Sequence, residues 1–225
     1  MDEGGAPSCF VSGEVGLPQS LLCGSFYSPN GGLKTTTEEN WCQSHLADQK
    51  LHRLLEKVDL EFAEAAHQQG CLYCGDKLYR GNYKRKPRGG PQWAQRFSFC
   101  CARCRRRRTP ESVRFLGRRV YAGLVVVLVS SMAHGLKPER VRRLREVLQI
   151  DVRTLERWRQ WWLGPFVGSP FWKEARARFV PAVCPRTLPW SLCRHFQVER
   201  RDRLLALLRW LAPLTTPAAW AALAR

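Results

Sequence analysis

The first regular pattern of apolar positions along the chain has the period of an α-helix. Apolar side chains repeat every three or four residues at Leu51, Leu54, Leu55, Val58, Phe62 and Ala65, and Gly70 closes the run. This pattern predicts an amphipathic helix over residues 44–70. Residues 1–43 are rich in Gly, Ser, Pro and Thr and show no period of 2 or 3.6. We therefore expect a mostly disordered leader there.

Aromatic and basic residues alternate in the next segment, residues 71–116. The stretches "KLYRGNYK" and "RFSFC" have this alternation, and "PRGGP" between them supplies a turn, so short strands are predicted. From residue 117 to 215 the pattern is helical. The predicted helices span 118–133, 138–148, 152–163, 170–179, 187–196 and 199–211, and a short tail follows at 216–225. The expected fold class is mostly α with one small β module.

Four of the ten cysteines form two Cys-x-x-Cys pairs. Cys71 and Cys74 make the first pair, Cys101 and Cys104 make the second, and 26 residues lie between them. Four thiolates around one ion form a closed tetrahedral zinc site, which has a structural role because no coordination position remains for water or substrate. Two matched pairs favour structural Zn²⁺ over a redox pair or a disulfide. Residues 71–116 are therefore predicted to be a zinc ribbon with a basic arm.

Two neighbouring residues could change this ligand set. Cys100 lies next to Cys101, but alternate residues of a strand point to opposite faces, so we interpret Cys100 as a bystander. His67 precedes Cys71 by four residues and could replace one cysteine. A solvated histidine at the end of a helix is the favoured interpretation.

The charge of the chain is unevenly distributed. Residues 1–70 carry four Lys or Arg against ten Asp or Glu, a net charge of −6, and residues 71–225 carry 33 against nine, a net charge of +24. Such a field favours a polyanion, with nucleic acid ahead of an anionic membrane surface. The apolar stretch 120–133 has 14 residues, fewer than the roughly 20 that span a bilayer, so no membrane association is expected. The first residues lack the pattern of a secretory signal, which predicts a cytoplasmic location.

The basic residues around the cysteines form two groups. The loop between the cysteine pairs carries Lys84, Arg85, Lys86 and Arg88, and the second pair is followed directly by Arg105, Arg106, Arg107 and Arg108. Contact with phosphates accounts for most of this charge. One or two arginines could instead offset the negative charge of a four-thiolate zinc site, and plain solvation of a charged surface is the other interpretation.

A helix-turn-helix is predicted at about 138–162. Two short amphipathic helices flank the break "QID", and Asp151 can cap the second helix. On that second helix Arg153, Arg157 and Gln160 fall at i, i+4 and i+7, opposite its apolar stripe. Arginine and glutamine side chains can reach guanine and adenine edges in the major groove. An ordinary helical hairpin with a solvated basic face is the alternative.

Three stretches of the sequence resemble a group of bacterial mobile-element proteins commonly labelled transposase or transposase-like. They are "CCARCRRRRTPESVRFLGRRVYAGLVVVLVSSMAHG", "TLERWRQWW" and "SPFWKEARARFVP", and the resemblance covers about residues 68–215. In those proteins a zinc ribbon precedes a helix-turn-helix. The resemblance implies that the four paired cysteines bind zinc, that the helix 152–162 reads DNA, that a transposase is a possible partner, and that the protein resides with the bacterial nucleoid.

The sequence departs from a catalytic transposase of the acidic-triad type. That chemistry needs three carboxylates that hold two metal ions on a sheet, and the 63 residues that follow Trp162 are predicted to be all helical. The five histidines form no HxH, HExxH or HxE pattern, and no catalytic residue can be named. The expected function is zinc-dependent DNA binding, as part of a transposition system or as its accessory factor or regulator. The alternatives are a transposase or nuclease with an unrecognised site, and a zinc-stapled adaptor for RNA or an acidic protein.

Overall fold

A computed structural model describes residues 48–85, 94–116, 121–131, 138–196 and 200–216 of this chain, all within one compact unit. The predictions made for the leader 1–43, for Lys86 and Arg88 in the basic arm, and for the tail beyond Thr216 lie outside these residues. The described part is mostly helical with small antiparallel sheets, which confirms the mostly α fold class.

The long helix α1 spans Gln49–Gln69 and confirms the predicted amphipathic helix from its first described turn onward. The Asp48 carboxylate caps its first turn, since it accepts hydrogen bonds from the amides of Lys50 at 2.8 Å and Leu51 at 3.1 Å. The helix ends at Gly70, whose φ of 71° lies in the region that favours glycine. Its inner face buries Leu51, Leu55, Val58, Asp59, Ala63 and Ala66.

Five short strands follow α1, as the alternating pattern predicted. The strands are β1 (Leu78–Arg80), β2 (Tyr83–Arg85), β3 (Ala94–Arg96), β4 (Phe99–Cys101) and β5 (Arg107–Arg108). They form an antiparallel sheet of order β1-β4-β5 and a two-stranded hairpin of β2 and β3. One face of the larger sheet presents Leu78, Phe99 and Cys101, which pack against Ala63 and Ala66 of α1.

The predicted helix at 118–133 was wrong at its start. Strand β6 (Phe115–Leu116) pairs with β7 (Tyr121–Ala122), and helix α2 spans only Gly123–Ser130; residues 117–120 and 132–137 lie outside the described part. The amide of Gly123 donates to the carbonyl of Arg114. A Cβ atom at Gly123 would lie 2.9 Å from the Val113 carbonyl oxygen. Only glycine permits this close approach, and the two residues before it, Tyr121 and Ala122, pair as a strand instead of continuing the helix.

The remaining helices agree with the predicted segments and differ at their ends. They are α3 (Pro138–Leu148), α4 (Val152–Trp161), α5 (Pro170–Ala175), α6 (Trp190–His195) and α7 (Arg200–Leu211). Helix α4 continues as a π-helical turn over Trp162–Phe166, because Pro165 has no amide to donate to the regular ladder. A 3₁₀ turn extends α5 over Arg176–Arg178, another occupies Pro185–Thr187, and a third follows α7 over Ala212–Thr215.

The larger apolar core joins α1 to the C-terminal helices. Leu51 and Leu55 of α1 belong to the same buried cluster as Trp162 and Leu204. A second cluster includes Leu148, Leu155 and Trp158, so the apolar stripes predicted on α3 and α4 are buried. Among the described helices, none has both the length and the apolar character needed to cross a bilayer.

Candidate metal centre

The four paired cysteines come together in the folded chain. The Sγ atoms of Cys71, Cys74, Cys101 and Cys104 all lie within 4.8 Å of one another. Cys71 and Cys104 are 3.5 Å apart and Cys74 and Cys101 are 3.4 Å apart. Tetrahedral zinc with Zn–S bonds of about 2.3 Å places its sulfur ligands roughly 3.8 Å from one another. The cluster therefore has the size that a tetrahedral metal site requires.

The sulfur distances do not correspond to disulfides. A disulfide has an S–S distance of about 2.0 Å, and every described cysteine is a free thiol. The predicted preference for a metal site over a disulfide therefore agrees with the geometry.

Two similar turns position the four sulfurs. In the first, the Cys71 amide donates to the Asp76 carbonyl at 2.9 Å, and in the second the Cys101 amide donates to the Arg106 carbonyl at 3.0 Å. The residue after each second cysteine has a left-handed backbone, with φ of 72° at Gly75 and 60° at Arg105. Each turn reverses the chain around its two sulfurs, so the two Cys-x-x-Cys segments face one another.

Backbone amides prepare two of the sulfurs for negative charge. Hydrogen bonds from the amides of Tyr73 and Cys74 lower the pKa of Cys71 to about 6. The Cys104 amide, which lies 3.4 Å from the Cys101 sulfur, is the main reason that the pKa of Cys101 is lowered. An amide that points at a sulfur stabilises the thiolate and so helps the sulfur to act as a metal ligand.

The fourth sulfur resists ionisation. The Arg106 amide lowers the pKa of Cys104, but burial and hydrogen bonding with the Cys101 and Cys71 sulfurs outweigh it and raise the pKa to about 12. Crowded thiolates repel one another, and a divalent cation at their centre removes that repulsion. The cluster therefore has the electrostatic character of a cation site.

Cys100 and His67 lie outside the four-sulfur cluster. The Cys100 thiol donates to the Arg105 carbonyl at 3.4 Å. The His67 ring stacks on Phe99 with 5.2 Å between centroids, and its Nε2 lies 2.9 Å from the Leu78 carbonyl oxygen. His67 is exposed at the end of the helix, as expected from the sequence, and its ring also helps to attach the sheet to α1.

Arg108 has an internal role that the sequence did not reveal. Its guanidinium donates to the carbonyls of Ala66 at 2.9 Å and Gly70 at 2.5 Å, and to the side chain of Gln69. These groups lie at the C-terminus of α1, where carbonyls lack helical partners and a positive charge is favourable. Residues 71–85 and 94–108, which carry the four cysteines and strands β1 to β5, are called the cysteine module below. Arg108 therefore joins this module to helix α1.

A buried polar network around Asp59 was also missed. Asp59 is 1% exposed, and its carboxylate accepts hydrogen bonds from Ser112 Oγ at 2.7 Å, the Val113 amide at 2.7 Å and Arg114 Nε at 2.8 Å. The Ser112 amide in turn donates to the Thr215 hydroxyl at 2.9 Å. The network ties α1 to residues 112–114 and to the C-terminal turn. Its one sequence signal is an acid placed within the apolar stripe of α1.

The basic residues differ in their surroundings. Lys84 and Arg85 of β2 are exposed, as are Arg105, Arg106 and Arg107. The guanidinium of Arg106 lies 4.2 Å from the centroid of Tyr73. Arg96 is buried and donates to the Pro110 carbonyl at 2.7 Å, and burial lowers its pKa. Arg96 and Arg108 thus serve the fold, and the other five face solvent.

Helices α3 and α4 meet at the predicted turn. Gln149 adopts a φ of 52°, and the Asp151 carboxylate accepts a hydrogen bond from the Arg153 amide at 2.8 Å. Arg153, Arg157 and Gln160 are exposed, on the side of α4 opposite the buried Leu155 and Trp158. Arg157 folds back along its helix, where Nη2 donates to the Thr154 hydroxyl at 3.0 Å.

The structure thus brings together all four predicted metal ligands. Of the residues predicted to contact nucleic acid, those that the structure describes are exposed near the cysteines and on α4, apart from Arg108. Comparison with known proteins adds no further assignment. No family model, no curated protein and no solved structure matches this chain.

Proposed function

We propose that the chain is a DNA-binding protein whose cysteine module is a zinc ribbon. The observation that carries the proposal is the four-sulfur cluster set within a strongly basic module. Residues 71–85 and 94–108 contain ten Lys or Arg and a single acid, Asp76. A metal-stabilised module with this charge is suited to phosphate contacts.

Zinc is the metal that the ligand set favours. Four thiolates in a tetrahedral arrangement suit Zn²⁺ or iron, and a site closed by four protein ligands has a structural role. Such a site supplies folding energy to a module whose strands, at two or three residues each, are too short to be stable by themselves. Bound zinc is colourless and bound iron is coloured, so an absorption spectrum separates the two.

DNA contact would divide between two surfaces. Arg105, Arg106 and Arg107, with Lys84 and Arg85, supply charge for backbone phosphates without sequence preference. Helices α3 and α4 would act as a helix-turn-helix, with Arg153, Arg157 and Gln160 directed at base edges. The exposure of these three side chains on one side of α4 supports this role. The sequence resemblance supports a place in a bacterial transposition system, as DNA-binding part or accessory factor, and residence with the nucleoid.

The metal is tested by paired cysteine substitutions. We expect one zinc ion per chain, measured by elemental analysis of the purified protein. Cys104→Ser should lose the ion and unfold the cysteine module, because the metal provides most of its folding energy. Cys100→Ser is the matched control, since it removes a neighbouring thiol outside the cluster. Equal zinc content in the two variants would refute the site.

Sequence reading is tested by selecting bound fragments from a random DNA pool at about 150 mM salt, which weakens purely electrostatic binding. We expect an enriched motif. Arg157→Ala should weaken the enriched site by roughly 5- to 150-fold, because a good bidentate base contact contributes about 1–3 kcal/mol. Arg159→Ala is the control: it removes the same charge from the flank of α4. No enrichment, together with equal affinity for RNA, would favour the adaptor instead.

A further inference from the structure

The outer face of the three-stranded sheet carries an exposed aromatic ring and a cation in one row. Tyr79, Cys100 and Arg107 are register partners across β1, β4 and β5, so their side chains share one face. The opposite face carries Leu78, Phe99 and Cys101 and is buried against α1. The Tyr79 side of the sheet is therefore the solvent side.

Tyr79 is exposed without a local packing role. Tyr79 is 63% exposed, and its side chain makes no hydrogen bond, ring contact or cation–π contact with the other residues that the structure describes. An exposed tyrosine on a rigid sheet presents both a flat ring and a polar tip. Because it sits on the strand next to the one that carries Cys101, its position depends on the cysteine module being folded.

Two arginines near this sheet, Arg107 on β5 and Arg85 on β2, are held in place. Arg107 Nη1 donates to the Gly81 carbonyl at 3.1 Å and to Ser98 Oγ at 3.2 Å. The Tyr83 ring lies 5.5 Å from the guanidinium of Arg107 and 4.9 Å from that of Arg85. The Tyr83 ring thus contacts both arginines, and both remain exposed. Ordering before binding reduces the entropy lost when a ligand is bound.

This surface has the chemistry that recognises unpaired bases. A free aromatic ring offers a stacking platform to any base, and neighbouring arginines pair with the phosphates of the same strand. Bases inside a duplex are already stacked on one another and expose only their edges. A simple polyanion would use the arginines and gain nothing from the ring.

We propose that the outer face of this sheet binds single-stranded nucleic acid, with a base stacked on Tyr79 and the strand's phosphates paired with Arg107 and Arg85. The inference rests on the proposed nucleic-acid-binding function. It adds that the nucleic acid in contact with the proposed ribbon is unpaired. Helix α4 would read paired DNA while the ribbon holds an unpaired stretch beside it.

The test compares three probes by fluorescence anisotropy with the zinc-loaded full chain. They are a single strand of about 12 thymidines, within the range of site sizes seen for stacking surfaces, a duplex of the same length, and inorganic polyphosphate of similar charge. We expect the single strand to bind more tightly than polyphosphate. Tyr79→Ala should lower its affinity by roughly 5- to 150-fold, the effect of losing one stacked base.

Two further variants make the result specific to the ring. Tyr79→Phe should retain the single-strand affinity, because it keeps the ring, and Tyr79→Leu should lose it, because it keeps apolar surface alone. Zinc content and circular dichroism verify that each variant is folded. The proposal is overturned if Tyr79→Ala binds the single strand as tightly as the wild type, or if polyphosphate binds equally well.

The ratio of single-strand to duplex affinity separates this inference from the proposed function. A protein that binds the duplex tightly, with a ratio unaffected by Tyr79→Ala, would refute stacking and leave duplex binding in place. A protein that binds the single strand through Tyr79 but enriches no duplex motif would refute sequence reading by α4 and support the stacking surface.

Discussion

Replacing Asp59 should cost more stability than any exposed substitution, because this buried carboxylate joins three parts of the chain. Asp59→Ala removes the acceptor for Ser112 Oγ, for the Val113 amide and for Arg114 Nε. The three donors would remain buried or nearly so, since Ser112 and Val113 are each 1% exposed and the Arg114 side chain is 13% exposed. Water could not readily replace the lost acceptor.

The expected loss follows from the kinds of contact removed. Removing one partner of a buried ion pair costs about 3–5 kcal/mol, because the remaining charge is left uncompensated. Arg114 keeps some compensation from Glu56 at 3.1 Å and from the Gln95 carbonyl at 2.9 Å. We therefore expect Asp59→Ala to lower the free energy of unfolding by about 3–4 kcal/mol. At about 2–4 °C per kcal/mol for a chain of this size, Tm should fall by roughly 6–16 °C.

Glu56 provides a matched control for this substitution. It pairs with the same arginine, but its side chain is 57% exposed. Glu56→Ala should cost less than about 1 kcal/mol, as is typical of surface pairs. Urea unfolding followed by circular dichroism, with zinc content checked in each variant, measures both. If the two substitutions cost the same, the buried network does not stabilise the junction in the way its geometry implies.

Two further predictions concern backbone conformation and pH. Gly75→Ala should lower the free energy of unfolding by about 1–2 kcal/mol, because Gly75 has a φ of 72°. Gly164→Ala is the control: there is open space around its Cβ position, so this substitution should be neutral or should stabilise the protein by up to about 1 kcal/mol. Equal urea midpoints for the two variants would contradict this prediction. Burial raises the pKa of Cys193 to about 11 from an ordinary value near 9.0. The stability contributed by the neutral thiol is present below pH 9 and is lost as pH rises toward 11, by up to about 3 kcal/mol. Cys193→Ala removes this titration. The free energy of urea unfolding should therefore fall less steeply between pH 9 and 11 in this variant than in the wild type.

Local signals in the sequence were sufficient for most of the helices and for the cysteine cluster. The cap at Asp151 and the proline and serine at the start of α5 fix helix boundaries within one turn, and the structure has the corresponding capping hydrogen bonds. Each Cys-x-x-Cys turn likewise forms within a few residues. Only the meeting of the two turns needs the longer range, and the shared chemistry of their four thiols predicted it.

The features that the sequence did not predict depend on distant partners. Asp59 and Ser112 are 53 positions apart, and Arg108 lies 42 positions from Ala66. No periodicity of the sequence links such pairs. In the sequence alone, therefore, Asp59 cannot be told from an ordinary surface acid, nor Arg108 from the other arginines around it. The prediction was wrong at the start of α2 for the same reason. Gly123 lies against the backbone of Val113, and neighbouring residues in the sequence give no signal of that contact.

The arginine run after the second cysteine pair shows why a count of positive charges overstates what can bind a polyanion. Arg107 and Arg108 form strand β5, and the alternation of a strand sends their side chains to opposite faces. Arg108 turns inward to the end of α1, and Arg107 turns outward on the face that also carries Tyr79. In an irregular cationic tail Arg107 and Arg108 would be equivalent. In the strand, Arg108 stabilises the fold and Arg107 lies at the surface. Substitutions within the run should therefore separate the two roles: loss of Arg108 acts through the fold, and loss of Arg107 acts through binding.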